Sequence, residues 1–163
     1  MTAPCFRSAT ADDLPAILAL LRDDALGAER ERADEAHYRR AMVAILADPN
    51  NEILVMEIEG ALAGCLQLTY IPGLSRKGAW RAQIESVRIG SSLRGRGLGR
   101  RLFEAAIARA QARGCRIVQL TSDKRRRDAQ GFYRGLGFVA SHEGYKLALA
   151  PASVQAAAGR RQD

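Results

Sequence analysis

The segment Arg94-Gly95-Arg96-Gly97-Leu98-Gly99 constrains this chain more than any other, because it directly follows a strand pattern and opens a helical one. Behind it, Leu98, Leu102, Phe103, Ala106, Ile107 and Ala110 share one arc of a helix that ends near Arg113-Gly114, with Arg100, Glu104 and Gln111 opposite. Arg109 falls inside the apolar arc, and the pattern does not account for it. Arg116 to Thr121 is then a compact apolar strand. Strand, glycine turn, helix and strand form a βαβ crossover, which requires parallel neighbours, so part of the fold is α/β.

The same turn carries a chemistry. The first N–H groups of a helix have no intrahelical partner, the helix dipole is positive there, and glycines let an anion approach the backbone, so the segment is a phosphate cradle suited to a diphosphate. A Walker pattern fails because no Lys-Ser or Lys-Thr pair follows the glycines. A dinucleotide GxGxxG fails in register: counted from Gly95 the third glycine would be Arg100, and counted from Gly97 it would be Leu102. What remains is (Arg/Gln)-x-x-Gly-x-Gly, matched by Arg94, Gly97 and Gly99.

The rest of the chain supplies both strands and helices. Phe6 to Ala9 reads as a first strand, and Thr10 caps a helix from about Ala11 to Leu26 with Leu14, Ile17, Leu18 and Leu21 on its buried face. Tyr38, Met42, Ile45 and Leu46 mark a second helix, stopped by Asp48-Pro49-Asn50-Asn51. Ile53 to Ile58 and Leu62 to Ile71 form a hairpin around Glu59-Gly60. In the strand Trp80 to Ile89 the apolar positions Ile84, Val87 and Ile89 are spaced three and then two, which predicts a β-bulge. Asp128 to Leu136 is a short helix, and Phe138 to Ser141 with Tyr145 to Leu149 are expected to close the fold as two strands. Residues 1–150 thus make one domain, and the Ala, Arg and Gln tail 151–163 is expected to be frayed.

Composition limits the partners. At 163 residues and 47% hydrophobic residues the chain can bury one core, and no apolar run is long enough to span a bilayer, so a cytoplasmic, membrane-free location is expected. Cys5, Cys65 and Cys115 are isolated, without CxxC or paired His/Cys spacing, and no metal site is expected. The net charge of +7 is carried almost wholly by arginine, only Lys77, Lys124 and Lys146 being lysine. Guanidinium matches phosphate oxygens bidentately, so a phosphate-bearing partner is indicated, nucleic acid or a nucleotide-like cofactor. A nucleic-acid module is disfavoured because aromatic residues are not interleaved with the basic clusters and no helix-turn-helix or RNP pattern is readable.

With these motifs in place, the sequence resembles the GNAT superfamily of acyl-CoA-dependent N-acetyltransferases over about residues 6–149. The resemblance rests on the Arg94, Gly97, Gly99 pattern, the opening Arg7-Ser8-Ala9-Thr10-Ala11-Asp12-Asp13-Leu14, the Glu59-Gly60 hairpin and the segment from Ala129 to Phe138 containing Phe132-Tyr133 and Gly137-Phe138. It implies a three-layer α/β (mixed α+β) fold with a central mixed, splayed sheet of six to seven strands flanked by about four helices. It also implies transfer of an acetyl group from acetyl-CoA, as cosubstrate, to a primary amine of a small molecule or protein, by direct attack in a ternary complex. A homodimer is compatible with it.

The resemblance further implies roles. The pyrophosphate of CoA would lie on the N–H groups of Arg94, Gly95, Arg96, Gly97, Leu98 and Gly99, with Arg96 and Arg100 beside phosphate oxygens and the basic run 124–127 near the phosphorylated ribose. The pantetheine arm would run along Val87, Arg88 and Ile89 like an added strand, with the Ile89 N–H polarising the thioester carbonyl. Tyr133 is the expected general acid at the departing sulfur, and Glu85, on the strand carrying the arm, the candidate base. Where the family often has Asn, this chain has Arg126. A CoA-binding regulatory domain without catalysis is the alternative reading, and the acceptor would be chosen by the loops at 27–32 and 72–78.

Overall fold

The computed structural model describes residues 2–23, 29, 31–124 and 126–149. The expected tail, the continuation of the first helix beyond residue 23 and most of the 27–32 loop lie outside them. Five strands form one sheet in chain order: β1 (Cys5–Ser8), β2 (Asn51–Ile58), β3 (Ala61–Ile71), β4 (Trp80–Ile89) and β5 (Cys115–Leu120). Neighbours are antiparallel through β4, and β4 and β5 are parallel. The parallel pair follows from the crossover through a helix, here α3 (Leu98–Ala112). Besides a four-residue helical turn at Ser75–Gly78, the remaining helices are α1 (Leu14–Arg22), which follows a 3-10 turn at Ala11–Asp13, then α2 (Glu35–Ala47) and α4 (Arg127–Gly135).

Alternation along β2 decides what covers each face. Leu54 and Met56 point to one side, into a core with Leu66, Leu68 and Ile84 and with Leu98, Leu102, Phe103 and Ala106 of α3. Ile53 and Val55 point to the other, into a core with Cys65, with Leu14, Ile17 and Leu18 of α1 and with Met42 of α2. The result is the expected three layers, mixed sheet and four flanking helices among the described residues. Arg109, which the helical pattern left without a role, reaches from α3 to the carboxylate of Glu52 and to the Ser8 hydroxyl.

The strand count is lower than expected. Residues 138–149 form no strand, and among the described residues the sheet has five strands rather than six or seven. Phe138 does pack, its N–H donating to the Tyr133 carbonyl (3.0 Å). Beyond it the Ser141 N–H closes a local turn onto the Val139 carbonyl (3.0 Å), and Tyr145, Leu147 and Leu149 are exposed. Their period of two reads as a strand, yet strand preference is largely packing against neighbours, and these side chains meet no core.

The predicted bulge in β4 is present. Gln67 pairs with Glu85 and Cys65 with Arg88, so three steps on β4 match two on β3, and Ser86 takes a φ of 53°. Pairing of β4 with β5 stops at Ile84 opposite Leu120. From Glu85 onward β4 has β3 on one side only, and the sheet is splayed there.

Candidate active site

The splay, the glycine turn and the start of α4 converge. Gly95 and Gly97 both have φ of 75°, and a Cβ built at either would meet nothing within 4 Å, so these glycines serve backbone conformation and open access rather than close packing. Gly97 is the N-cap of α3. The N–H groups of Leu98, Gly99 and Arg100 follow in the first turn, where no preceding carbonyl of the helix reaches them. Gly99 has a different reason: a Cβ there would lie 3.4 Å from the Phe132 ring, so its absence lets α4 pack on the first turn of α3.

The arginines of the turn divide. Arg94 donates through Nε to the Ile89 carbonyl (3.1 Å) and through a terminal nitrogen to the Asp23 carbonyl (2.8 Å), while the Asp23 carboxylate accepts the Ser91 N–H (2.6 Å). This clamp ties the end of α1 to the turn. Arg100 donates to the Gly135 carbonyl (2.9 Å) at the end of α4. Arg96 is exposed. In the basic run at 124–127, Lys124 pairs with Glu143 (3.3 Å), and Arg125 lies outside the described residues.

Backbone direction along the end of β4 follows from one bond. The Gly90 N–H donates to the Ala63 carbonyl of β3 (3.0 Å). Successive strand residues present their N–H and C=O groups to opposite sides, so the groups of Ile89 face away from β3, toward the space that β5 no longer fills. The Arg94 bond to the Ile89 carbonyl fits this direction. Two carbonyls of this stretch accept from guanidinium groups, since an Arg88 terminal nitrogen donates to the Val87 carbonyl (2.9 Å).

Tyr133 sits on α4 within an aromatic nest, edge-on to Phe103 (5.7 Å between ring centroids), Phe132 (5.6 Å) and Phe138 (6.2 Å). Val87, Ile89 and Tyr133 all pack against the core that includes Leu98 and Phe103. Burial pushes the Tyr133 hydroxyl above the ordinary tyrosine value, with the charges of Arg126 and Arg88 opposing. A hydroxyl held protonated at neutral pH is suited to donate a proton. Glu85 projects from the opposite face of β4, exposed and paired across the strand with Gln67.

The site residues expected from the sequence therefore gather at one end of the molecule: Val87, Arg88 and Ile89 at the splay, Arg94 to Gly99 at the head of α3, and Tyr133 beside them. Arg100 faces the end of α4. The burial of Arg88 and the Asp23 clamp were not foreseen. The spacing that predicted the bulge held the signal for the first, since it places Arg88 on the face of Glu85; the second joins residues far apart in sequence.

Among the described residues no cluster of His, Cys, Asp or Glu could hold a metal ion, and no helix is long and apolar enough to cross a membrane. The profile of the Acetyltransferase (GNAT) family matches residues 14–138. The chain is 26% identical over 143 residues to an aminoalkylphosphonate N-acetyltransferase of Salmonella typhimurium, covering 88% of this chain and 90% of that one. Among solved structures it resembles a transcriptional regulator from Bacillus halodurans at TM-score 0.86 and 45% identity, over 90% of this chain and all of that one. It also resembles an acetyltransferase of Trypanosoma brucei at TM-score 0.75 and 25% identity, over 90% of this chain and 100% of the other.

Proposed function

This chain belongs to the GNAT acetyltransferase family, and from that premise we propose that it moves an acetyl group from acetyl-CoA to a primary amine by direct attack. The observation that carries the reading is the pair of left-handed glycines, Gly95 and Gly97, with open space where side chains would stand, at the head of a fifteen-residue helix beside a splayed strand. That arrangement fits a diphosphate on the turn and an extended arm along Val87, Arg88 and Ile89. The relative from Salmonella, whose acceptor by its description is an aminoalkylphosphonate, supports a small amine as acceptor.

When bound, acetyl-CoA supplies an activated acyl carbon and a thiolate leaving group. The chain's residues do the rest. Glu85 takes a proton from the incoming ammonium, directly or through a water, so that the nitrogen lone pair can form the new C–N bond. The Ile89 N–H donates to the thioester oxygen as negative charge grows there. Tyr133 gives its proton to the sulfur as the C–S bond breaks, the second proton of the attacking nitrogen is lost to solvent as the amide forms, and solvent restores the Tyr133 proton and takes the one held by Glu85. No covalent link to the protein forms, and Cys65, buried under α1 and α2 with its thiol pushed up to about 11, is no nucleophile.

A screen of primary amines with acetyl-CoA and a free-thiol readout tests this proposal. Thiol release that depends on a particular amine and on Tyr133 is expected; cofactor binding with no release across a broad panel would overturn it. A second reading, a regulator, is favoured by the description of the Bacillus relative. Tight, salt-dependent retardation of DNA by this protein would support that reading.

A further inference from the structure

Asn51, Thr69, Gln83 and Gln119 stand opposite one another on β2, β3, β4 and β5, a polar row that crosses the sheet on the face of α1 and α2. Its inner half is closed on itself: Thr69 Oγ1 donates to Asn51 Oδ1 (2.8 Å), Gln67 Nε2 donates to the same atom (3.3 Å), and Asn51 Nδ2 donates to Asp48 (2.7 Å). The outer half is not. Gln119 Nε2 donates to Gln83 Oε1 (2.8 Å), which leaves both N–H donors of Gln83 and the Gln119 carbonyl without a protein partner among the described residues. Helices α1 and α2 pack over β2 and β3, and out on β4 and β5 Gln83 is half-buried and Gln119 exposed. Pairing of β4 with β5 ends one step later, at Ile84 opposite Leu120, whose side chains turn to the other face. Gln83 and Gln119 are therefore the last pair on this face before the strands part, and they form the rim of the gap. Glu85, two positions on and about 7 Å along the strand, is the next side chain of this face beyond the rim. Tyr133 packs on the opposite side of the sheet, in the core that includes Ile84 and Phe103.

Resting on the function proposed above, we propose that Gln83 and Gln119 select the acceptor: the amine carries an uncharged hydroxyl or amide a few bonds from its nitrogen, and that group bonds to the free donors of Gln83 and the free carbonyl of Gln119 while Glu85 faces the nitrogen. The gap joins the two faces, so the amine beside Glu85 and the thioester beside Tyr133 meet across it, and the rest of a small acceptor rests on the rim. Side by side the two amides present donors and an acceptor, and a hydroxyl or an amide answers both at once. A carboxylate or phosphate answers only the donors, and would lie against the Gln119 carbonyl and near the Glu85 charge. An alkyl chain would cover the Gln83 N–H groups without bonding them, which costs free energy. Arg81 shares the face but lies two positions further from the gap, about 13 Å from Glu85 along the strand, so an acceptor spanning the rim meets the amides before that guanidinium.

The test uses matched primary amines with the protein saturated in acetyl-CoA: 3-amino-1-propanol against butylamine, and β-alaninamide against 3-methylbutylamine. Each ratio of kcat/KM is divided by the ratio for uncatalysed acetylation of the same two amines, which removes their intrinsic reactivity. The wild type is expected to favour the polar member of at least one pair by about 10-fold, the worth of one or two neutral hydrogen bonds. In Gln83→Met and in Gln119→Met, which keep the size of the side chain, that ratio should fall toward one through the KM of the polar amine, with the KM of acetyl-CoA unmoved. A ratio taken within one sample is insensitive to partial unfolding, so merely structural glutamines would leave the preference intact. A ratio near one in the wild type, which needs no variant to measure, or one that survives Gln83→Met, overturns the proposal. A preference for β-alanine over β-alaninamide overturns it too, since a carboxylate would then be the group recognised. Turnover of apolar amines only would end this inference and leave the acetyltransferase standing; no turnover of any amine would end both.

Discussion

Asp13 and Arg88 are equally buried, but the two ends of the sheet that carry them are built differently. At the amino-terminal end, Asp13 accepts two bonds from Arg7 (2.7 and 2.8 Å) and the Thr10 N–H (2.7 Å), while Arg7 also grips Glu57 through two more bonds (2.5 and 3.0 Å). The Arg7 guanidinium holds the Asp13 carboxyl at about 2, well below the carboxylate range. At the other end the backbone itself is opened: a bulge, a splay, two glycines in the left-handed region and a buried arginine lie within about a dozen residues. One end is closed on itself; the other leaves open space over a glycine turn beside a strand edge that its parallel neighbour no longer covers.

The contrast can be broken by substitutions whose effects fall on one side only. The largest effect is expected at the open end, where Tyr133→Phe should lower kcat by about 100-fold, the loss of one general acid, with the melting temperature little changed. Steady-state rates across pH check this, and unchanged turnover removes Tyr133 from the chemistry. At the closed end, Asp13→Asn should cost about 2 kcal/mol of stability, allowing for the partial exposure of Arg7, and leave kcat for the remaining folded protein as it was. Chemical denaturation measures it, and a loss of activity without loss of stability would blur the division.

A third expectation concerns acid. Because the folded Asp13 carboxyl lies near 2 against an ordinary 3.8, it contributes stability that is fully present above about pH 4 and is lost as pH falls toward 2. Unfolding midpoints across that window should drop in the wild type and stay flatter in Asp13→Asn. The smallest effect belongs to the exposed pair Glu35 and Arg39, one turn apart on α2 (2.5 Å), where Arg39→Ala should change stability by no more than about 0.5 kcal/mol.

The open end was more legible than the closed one. Its signals are local: a glycine pattern within six residues, and a break in alternation at Ile84, Val87 and Ile89 that a bulge accounts for. Thr10, Asp12 and Asp13 announced a helix start, but the partnership of Asp13 with Arg7, and of Arg7 with Glu57, depends on β1 lying beside β2, which spacing alone does not give. Arg109 is the same case, since its partner Glu52 is 57 residues away. The segment after Phe138 failed in the opposite sense: Tyr145, Leu147 and Leu149 carry a strand's alternation, and without a surface to cover them alternation is not enough.

The central claim is that the amides of residues 94–99 hold the diphosphate of CoA. Calorimetric titration of acetyl-CoA into the wild type and into Gly97→Val tests it most directly, because valine at a φ of 75° cannot keep that turn without strain. Saturable binding by the wild type, weakened at least about 100-fold in the variant, is the result expected for a cradle made of backbone N–H groups. No heat of binding from folded wild-type protein, or equal affinity in the two, would contradict the account.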